Sequence, residues 1–167
     1  LNGIYTWRVE CVDTTVLSLQ GVSETRTLNV DLEAPSAVFN TANNTWFNSD
    51  PDVQFTLSDN LATSINYEIY VNGTLNVQGT ANNNILTTET LSGLTNGVYE
   101  LFIFAEDLAN NTNTSESIVI FVDTFDPVVA LNYPVNETVT SSSAVNLSFT
   151  PSDNMANFLV CDVVVNN

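Results

Sequence analysis

Apolar and polar residues alternate along long stretches of this chain with a period of two. Val53, Phe55 and Leu57 are separated by polar residues, and the same alternation runs through residues 64–72. Successive side chains of a β-strand point to opposite faces, so the pattern predicts strands that bury one face. No stretch of helical length repeats its apolar residues every 3.6 positions or so. The chain is therefore predicted to be all-β.

The middle of the chain contains seven such segments, and clusters of Gly, Asn, Asp and Pro separate them. The predicted strands cover residues 35–40, 52–58, 64–72, 75–79, 85–91, 98–106 and 116–122. Short strands with turn residues at this spacing are typical of a two-sheet Greek-key sandwich.

The sequence also repeats itself, in four blocks that recur in one order at a spacing of 92–94 residues. Residues 2–13 recur as 96–107, 31–35 as 123–127, 55–60 as 149–154, and 67–72 as 161–166. Self-similarity at a fixed period indicates structural units in tandem.

The repeat predicts one complete unit at 34–123, preceded by the C-terminal part of another at 1–33 and followed by the N-terminal half of a third at 124–167. A partial sandwich exposes sheet edges and half of a core. We therefore expect the partial units to be completed by neighbouring repeats or by another copy of the chain.

Leu94, Gly97 and Tyr99 form an L-x-x-G-x-Y pattern around the start of the sixth predicted strand. It resembles the tyrosine corner of immunoglobulin-like (Ig-like) and fibronectin-type-III-like domains. The resemblance implies tandem Ig-like Greek-key β-sandwiches, in which the Tyr99 hydroxyl ties back across the sandwich.

Residues 105–112 resemble the A-x-D-x-x-G-N turn at a strand end of bacterial and archaeal Ig-like surface repeats, and Pro35 and Pro127 begin units as in those arrays. This resemblance implies an extracellular adhesin, stalk, surface-layer or filament protein. We expect a structural role in a surface filament, stalk or lattice, with cell adhesion or carbohydrate binding as the alternative.

The charge of the chain excludes several classes of function. Its 167 residues include 19 acids, 2 bases and no histidine, which gives a net charge of −17. Both bases are arginine, so the chain has no histidine to act as a base or to ligate a metal and no lysine to form a Schiff base. A chain this acidic repels nucleic acid and anionic membranes, and no apolar run approaches the roughly 20 residues of a membrane span. Asn, Thr and Ser supply 59 of the 167 residues, a composition typical of proteins outside the cell.

Catalysis is not expected either. Asp50 and Asp52 could form a carboxylate pair of the kind that glycoside hydrolases use. They flank Pro51, however, where forming a turn is the usual role of such residues. A carbohydrate-binding module would present exposed aromatic residues, for which Trp46 and Phe47 in the first long turn are the candidates.

The two cysteines occupy different positions of the repeat. Cys11 aligns with Ala105 near the end of the sixth strand, and Cys161 aligns with Tyr67 in the third strand. These strands are neighbours in this fold, so a disulfide between the two positions is within reach. Three arrangements are open: pairing with a residue of the same unit outside this segment, pairing of Cys11 with Cys161 of another copy, or two free thiols. Either disulfide would imply an oxidising, extracellular site.

Acidic residues gather at the ends of the predicted units, where the incoming linker meets the loops after the second and sixth strands. Carboxylate, amide and backbone oxygens are the ligands that Ca²⁺ prefers, although such residues also cap turns. The candidate calcium ligands are Asp31, Glu33, Asp59, Asn60 and Asp107 at the first junction, and Asp123, Asp126, Asp153 and Asn154 at the second.

One outer face of the complete unit is unusually apolar. Tyr5, Trp7, Val9 and Cys11 of the first unit, like the aligned Tyr99, Leu101, Ile103 and Ala105, are expected to face the core. The opposite side of the sixth strand carries Phe102 and Phe104, where the preceding unit has an Arg and a Glu. Tyr70, Val119 and Phe121 on adjacent strands are expected to point the same way. A patch of this size indicates a contact surface, with another part of the same chain or laterally with another chain. We favour the lateral contact, as expected of a filament or lattice subunit.

Six Asn-x-Ser/Thr sequons occur, about as many as this composition produces by chance. The candidate glycosylation sites are Asn43, Asn72, Asn110, Asn113, Asn136 and Asn146.

Overall fold

The computed structural model describes residues 2–166 and contains strands but no helix in that range, hence no helix that could span a membrane. The strands are β1 (Gly3–Trp7), β2 (Glu10–Val12), β3 (Gln20–Val22), β4 (Arg26–Val30), β5 (Ser36–Phe39), β6 (Thr45–Phe47), β7 (Asp52–Ser58), β8 (Ser64–Val71), β9 (Thr74–Asn82), β10 (Leu86–Thr90), β11 (Gly97–Glu106), β12 (Thr112–Thr114), β13 (Ile118–Val122), β14 (Val128–Tyr133) and β15 (Ser148–Ser152). The predicted all-β class is confirmed.

Two sheets form a sandwich in the middle of the chain. The smaller sheet has the order β10-β7-β5, and the larger has the order β6-β13-β11-β8-β9, with β12 also paired to β11. All of these pairs are antiparallel except β6 with β13, which is parallel.

The alternating pattern explains why these strands pack face to face. Phe55 and Leu57 of β7 are fully buried, as are Ile69 of β8 and both Leu101 and Ile103 of β11. Each removes its side chain from water, which stabilises the fold by about 1.5–3 kcal/mol per large apolar residue. The core therefore lies between the two sheets of the middle sandwich.

The hairpin of β1 and β4 repeats the register of β11 and β13. Tyr99 lies opposite Ile120, and Tyr5, 94 residues before Tyr99, lies opposite Leu28, 92 residues before Ile120. Trp7 in this hairpin is 50% exposed, as the described chain places no second sheet across from it. The core-facing side chains predicted for this segment, Tyr5, Trp7, Val9 and Cys11, are accordingly exposed.

The hairpin of β14 and β15 repeats the register of β5 and β7 in the same way. Phe39 lies opposite Phe55, and Leu131, 92 residues after Phe39, lies opposite Phe149, 94 residues after Phe55. Residues 161–166, which align with part of β8, form no strand. A strand needs a hydrogen-bonded neighbour, and the described chain supplies no counterpart of β11 for that segment.

Three details differ from the sequence-based expectations. The short strands β6 and β12 were not predicted, because three residues are too few to display a period of two. Strand β9 extends to Asn82, beyond the predicted end at 79. The Tyr99 hydroxyl bonds the carbonyl oxygen of Thr95 at 2.7 Å, four residues upstream, rather than crossing the sandwich.

Candidate metal centre

Three carboxylates converge at the end of the middle sandwich that receives the linker from β4. Asp31 lies in that linker, Asp59 follows β7, and Asp107 follows β11. One carboxylate oxygen from each residue lies within 4.8 Å of the other two. These three residues are predicted ligands of the first junction, and the structure brings them together.

The turn after β11 fixes Asp107, which is only 3% exposed. Its Oδ1 accepts hydrogen bonds from the backbone N–H groups of Ala109 at 2.7 Å and Asn111 at 2.9 Å. Asn110 has a positive φ of 65°, at the position where the A-x-D-x-x-G-N motif has glycine. Asparagine tolerates this left-handed conformation better than most residues, so the turn forms without glycine.

The loop after β7 fixes Asp59 and leaves one of its oxygens unused. Oδ1 accepts hydrogen bonds from the N–H groups of Leu61 at 2.9 Å and Ala62 at 2.6 Å. The side chain of Asn83 bonds both the N–H and the carbonyl oxygen of Asp59. Oδ2 is buried and has no hydrogen-bond partner. Burying a carboxylate oxygen without a hydrogen-bond partner costs free energy, and a cation bound at this atom would offset that cost.

Asn111 joins the linker to the turn after β11. Its Nδ2 donates to Oδ2 of Asp107 at 2.8 Å and to the carbonyl oxygen of Asp31 at 3.3 Å. Asn111 is not among the predicted ligands, although the A-x-D-x-x-G-N motif includes it.

No basic side chain offsets the three carboxylates. The only two bases of the chain, Arg8 and Arg26, pair with Glu10 and Glu24 at 2.6 and 2.5 Å. Like charges held this close repel one another unless a cation neutralises them. Ca²⁺ binds oxygen at about 2.3–2.6 Å, so oxygens within about 5 Å of one another can share one ion. The donor set therefore fits a divalent cation that prefers oxygen.

The other predicted ligands lie apart from this cluster. Glu33 accepts a hydrogen bond from Asn2, and Asn60 is exposed. At the second junction Asp123 accepts from Asn96 and Phe125, whereas Asp126 and Asn154 are exposed. Within residues 2–166 carboxylates converge in one group, at the first junction.

Asp153 repeats the local geometry of Asp59 without the cluster around it. Its Oδ1 accepts from the N–H groups of Met155 at 2.9 Å and Ala156 at 2.6 Å, as Oδ1 of Asp59 does in its own loop. The hydrogen bonds from Ala156 and Met155 lower the pKa of the Asp153 carboxyl. Both units therefore contain an Asp that caps this turn. Among the described residues, however, three carboxylates converge at the first junction and not at the second.

The predicted apolar outer face is present on the larger sheet and includes one more residue. The rings of Tyr70 and Phe102 stack with centroids 4.8 Å apart, and those of Trp46 and Phe121 stack at 4.4 Å. The predicted members of the face, Tyr70, Phe102, Phe104, Val119 and Phe121, are all partly exposed. Trp46 joins them because β6 lies beside β13, a parallel pairing that the sequence pattern did not indicate.

Both cysteines are exposed free thiols in the described chain. Cys11 lies in β2, and Cys161 lies in the segment after β15.

The six sequon asparagines are exposed as well. Asn113 is the most constrained of them, because its Nδ2, the atom that carries a glycan, donates to the carbonyl oxygen of Pro35 at 2.9 Å.

One member of the carboxylate pair considered for catalysis, Asp52, has a hydrogen-bond partner on the neighbouring strand. Asp52 Oδ1 accepts a hydrogen bond from the Thr90 hydroxyl at 2.5 Å, across the β7–β10 pair. Asp50 is exposed beside the buried Pro51.

Comparison with known proteins finds similarity to solved structures only. No protein-family model matches the chain, and neither does any curated protein. A CARDB domain from Pyrococcus furiosus, solved in complex with di-metal ions, matches at 16% identity and a TM-score of 0.38, covering 56% of this chain and 97% of that domain. The fibronectin(III)-like modules of Clostridium thermocellum CbhA match at 14% identity and a TM-score of 0.43, covering 71% of this chain and 63% of those modules.

Proposed function

We propose that this chain is a structural segment of an extracellular surface protein built from β-sandwiches in series, and that Ca²⁺ bound by Asp31, Asp59 and Asp107 stiffens the joint between two of them. The observation that carries the proposal is the convergence of these three carboxylates, with Oδ2 of Asp59 buried and unpartnered. The repeated strand registers support the division into units at 1–33, 34–123 and 124–167.

The chemistry of the donors favours Ca²⁺ over Mg²⁺. Mg²⁺ requires a near-ideal octahedron with oxygens at about 2.0–2.1 Å, whereas Ca²⁺ accepts six to eight oxygens in irregular geometry. Here the donors sit on a linker and two loops, and turn hydrogen bonds already fix Asp59 and Asp107. Such a preformed and irregular set suits the larger ion.

The position of the site gives it a mechanical role. Asp31 belongs to the linker between β4 and β5, whereas Asp59 and Asp107 belong to loops of the middle sandwich. An ion shared by all three ties the linker to the end of the sandwich. The joint then resists bending, as a stalk or filament under load requires.

Thermal unfolding with and without Ca²⁺ tests the site. At a Ca²⁺ concentration 100 times its dissociation constant, binding adds about 2.7 kcal/mol and raises the melting temperature by roughly 10 °C. Asp59→Asn removes the charge and keeps a carbonyl oxygen for the turn, so we expect this variant to lose most of the rise.

Asp153→Asn is the matched control, because Asp153 caps the same kind of turn outside the cluster. We expect it to respond to Ca²⁺ as the unmodified chain does. NaCl at equal ionic strength controls for general screening of the net charge. An equal response of all three proteins to Ca²⁺, or none in any of them, contradicts the proposal.

We also propose that the apolar outer face mediates lateral assembly with other copies of the chain or with neighbouring repeats. The stacked pairs Tyr70–Phe102 and Trp46–Phe121 support this second role, because they leave aromatic surface partly open to solvent. Adhesion to a carbohydrate through Trp46, which is 54% exposed, is the alternative. Binding of the chain to a glycan array, without self-assembly, would favour that alternative.

A further inference from the structure

We propose that Cys11 and Cys161 occupy the two facing positions of a cross-strand disulfide that locks a completed sandwich, so that each cysteine bonds a cysteine at the position of the other. Each cysteine replaces one member of a facing residue pair in the middle sandwich. Cys11 lies 94 residues before Ala105, and Cys161 lies 94 residues after Tyr67. In the larger sheet, Ala105 of β11 lies directly opposite Tyr67 of β8.

The hydrogen-bond pattern of these two strands suits a disulfide at that pair. The N–H of Asn72 donates to the carbonyl oxygen of Glu100 at 2.8 Å, so these facing residues form a hydrogen-bonded pair. Bonded and non-bonded pairs alternate along antiparallel strands, which makes Ala105 and Tyr67 a non-bonded pair. The Cα atoms of such pairs are about 4.5 Å apart, within the range of about 4.4–6.8 Å that a disulfide bridges.

Both positions face the inside of a completed sandwich. Ala105 is fully buried and Tyr67 is 4% exposed, yet Cys11 and Cys161 are exposed. Cys11 on β2 and Cys161 in the segment after β15 therefore occupy core-facing positions of the repeat that no second sheet covers in the described chain. Docking of the two partial units supplies that interior and brings the thiols face to face.

The exposed apolar residues of the two terminal hairpins support such docking independently of the cysteines. Burying both sets in one interface is favourable at about 25 cal/mol per Å² of apolar surface. On the N-terminal hairpin these residues include Tyr5, Trp7 and Leu28, and on the C-terminal hairpin Val129 and Leu131, all at positions that face the core in the middle sandwich.

The partner of each cysteine is thus a cysteine on the facing strand of the same completed sandwich. It comes from a second copy of this chain or from a flanking repeat of a longer polypeptide. In the bond-forming step, two thiols lose two protons and two electrons as the S–S bond forms. A small-molecule disulfide such as oxidised glutathione accepts them and is reduced to two thiols.

The first experiment tests the geometry in the middle sandwich. Tyr67→Cys and Ala105→Cys are introduced together into a chain that carries Cys11→Ser and Cys161→Ser, and the protein is treated with oxidised glutathione. We expect an intramolecular disulfide, detected by mass spectrometry as the loss of two hydrogens and of both free thiols. Tyr67→Cys with Ile103→Cys is the control, because diagonal positions are about 7–8 Å apart and should not bridge.

The second experiment uses the unmodified cysteines and remains informative if the engineered pair misfolds. Equal amounts of ¹⁴N- and ¹⁵N-labelled chain are oxidised together, digested without reduction and mapped by mass spectrometry. We expect mixed-isotope Cys11–Cys161 peptides in at least tenfold excess over Cys11–Cys11 and Cys161–Cys161 peptides. A random distribution among the three, or no bridge in either experiment, overturns the proposal.

Peptide mapping of the protein from its native surface distinguishes the two sources of the partner. A Cys11–Cys161 peptide there assigns the bond to two copies of this chain. A bond from either cysteine to a peptide of a flanking repeat assigns it to a longer polypeptide. Free thiols at both positions would overturn the proposal.

Discussion

At the scale of single residues, Tyr67 links the two sheets of the middle sandwich. Its hydroxyl donates a hydrogen bond to Oε1 of Glu89, so a residue of β8 reaches across to β10 in the other sheet. Burial, and then the hydrogen bond to Glu89, raise the pKa of Tyr67 well above its ordinary value. The ring crosses Gly79 on β9, where an added Cβ would lie 2.6 Å from the hydroxyl oxygen.

Replacing Gly79 with alanine should therefore destabilise the middle sandwich. Cβ at that position forces the Tyr67 ring to move and weakens its bond to Glu89. Overpacking of this kind costs about 1–3 kcal/mol, measurable by urea denaturation followed by tyrosine and tryptophan fluorescence. Gly21→Ala is the control, because nothing lies within 4 Å of a Cβ added there. Equal stability of Gly79→Ala and the unmodified chain would contradict this role of Gly79.

At the scale of elements, the tyrosine corner attaches the loop before β11 to that strand. The Tyr99 hydroxyl donates to the carbonyl oxygen of Thr95 at 2.7 Å and accepts from its N–H at 3.1 Å. Tyr5 occupies the same position at β1, with a 3.5 Å contact to the carbonyl oxygen of Asn2. The Tyr99 hydroxyl therefore holds the loop before β11 through two hydrogen bonds to the backbone of Thr95.

Tyr99→Phe removes the hydroxyl and leaves the ring, so it should destabilise the middle unit by about 0.5–1.5 kcal/mol. Tyr5→Phe should have a smaller effect, because Tyr5 lies on an exposed hairpin. Hydrogen exchange of the Thr95 amide measures the local effect, and urea denaturation measures the global one. Similar losses of stability from Tyr99→Phe and Tyr5→Phe would contradict the larger contribution expected of the corner in the complete unit.

At the scale of the whole molecule, the same outer strand face differs in character between the middle sandwich and the N-terminal hairpin. The larger sheet exposes the stacked aromatics, whereas the neighbouring N-terminal hairpin carries Arg8 and Glu10, which pair at 2.6 Å. A net charge of −17 disfavours association of copies through most of the surface. Copies are expected to associate most readily through the apolar outer face, because burying its apolar surface opposes the electrostatic repulsion.

The double substitution Phe102→Arg and Phe104→Glu gives the apolar face the charges of the first unit and should abolish lateral assembly. The middle unit should stay folded, because both side chains lie outside the core. Electron microscopy and sedimentation follow assembly, and circular dichroism follows folding. Leu86→Arg is the control, since Leu86 is 53% exposed on β10 of the other sheet. Intact fibres from the double variant would exclude this face as the contact.

The candidate metal site shows how far prediction from the sequence reaches. Fold topology was enough to group Asp31, Asp59 and Asp107, because loops at one end of a sandwich come from alternate strands. The topology could not exclude Glu33 as a ligand, since Glu33 lies two positions from Asp31 in the same linker and the sequence does not show which carboxylate enters the cluster. Which carboxylate oxygen is left without a partner depends on the turn hydrogen bonds of the folded loops.

The sequence alone determined the all-β class, the seven principal strands and the repeat spacing, because alternation and self-similarity are local or periodic properties of the chain. Only the tertiary structure decided the parallel pairing of β6 that adds Trp46 to the outer face, the partner of Tyr99, and the pairing of Ala105 with Tyr67. These depend on contacts between residues distant in sequence or on the path of a loop, and no local pattern encodes either.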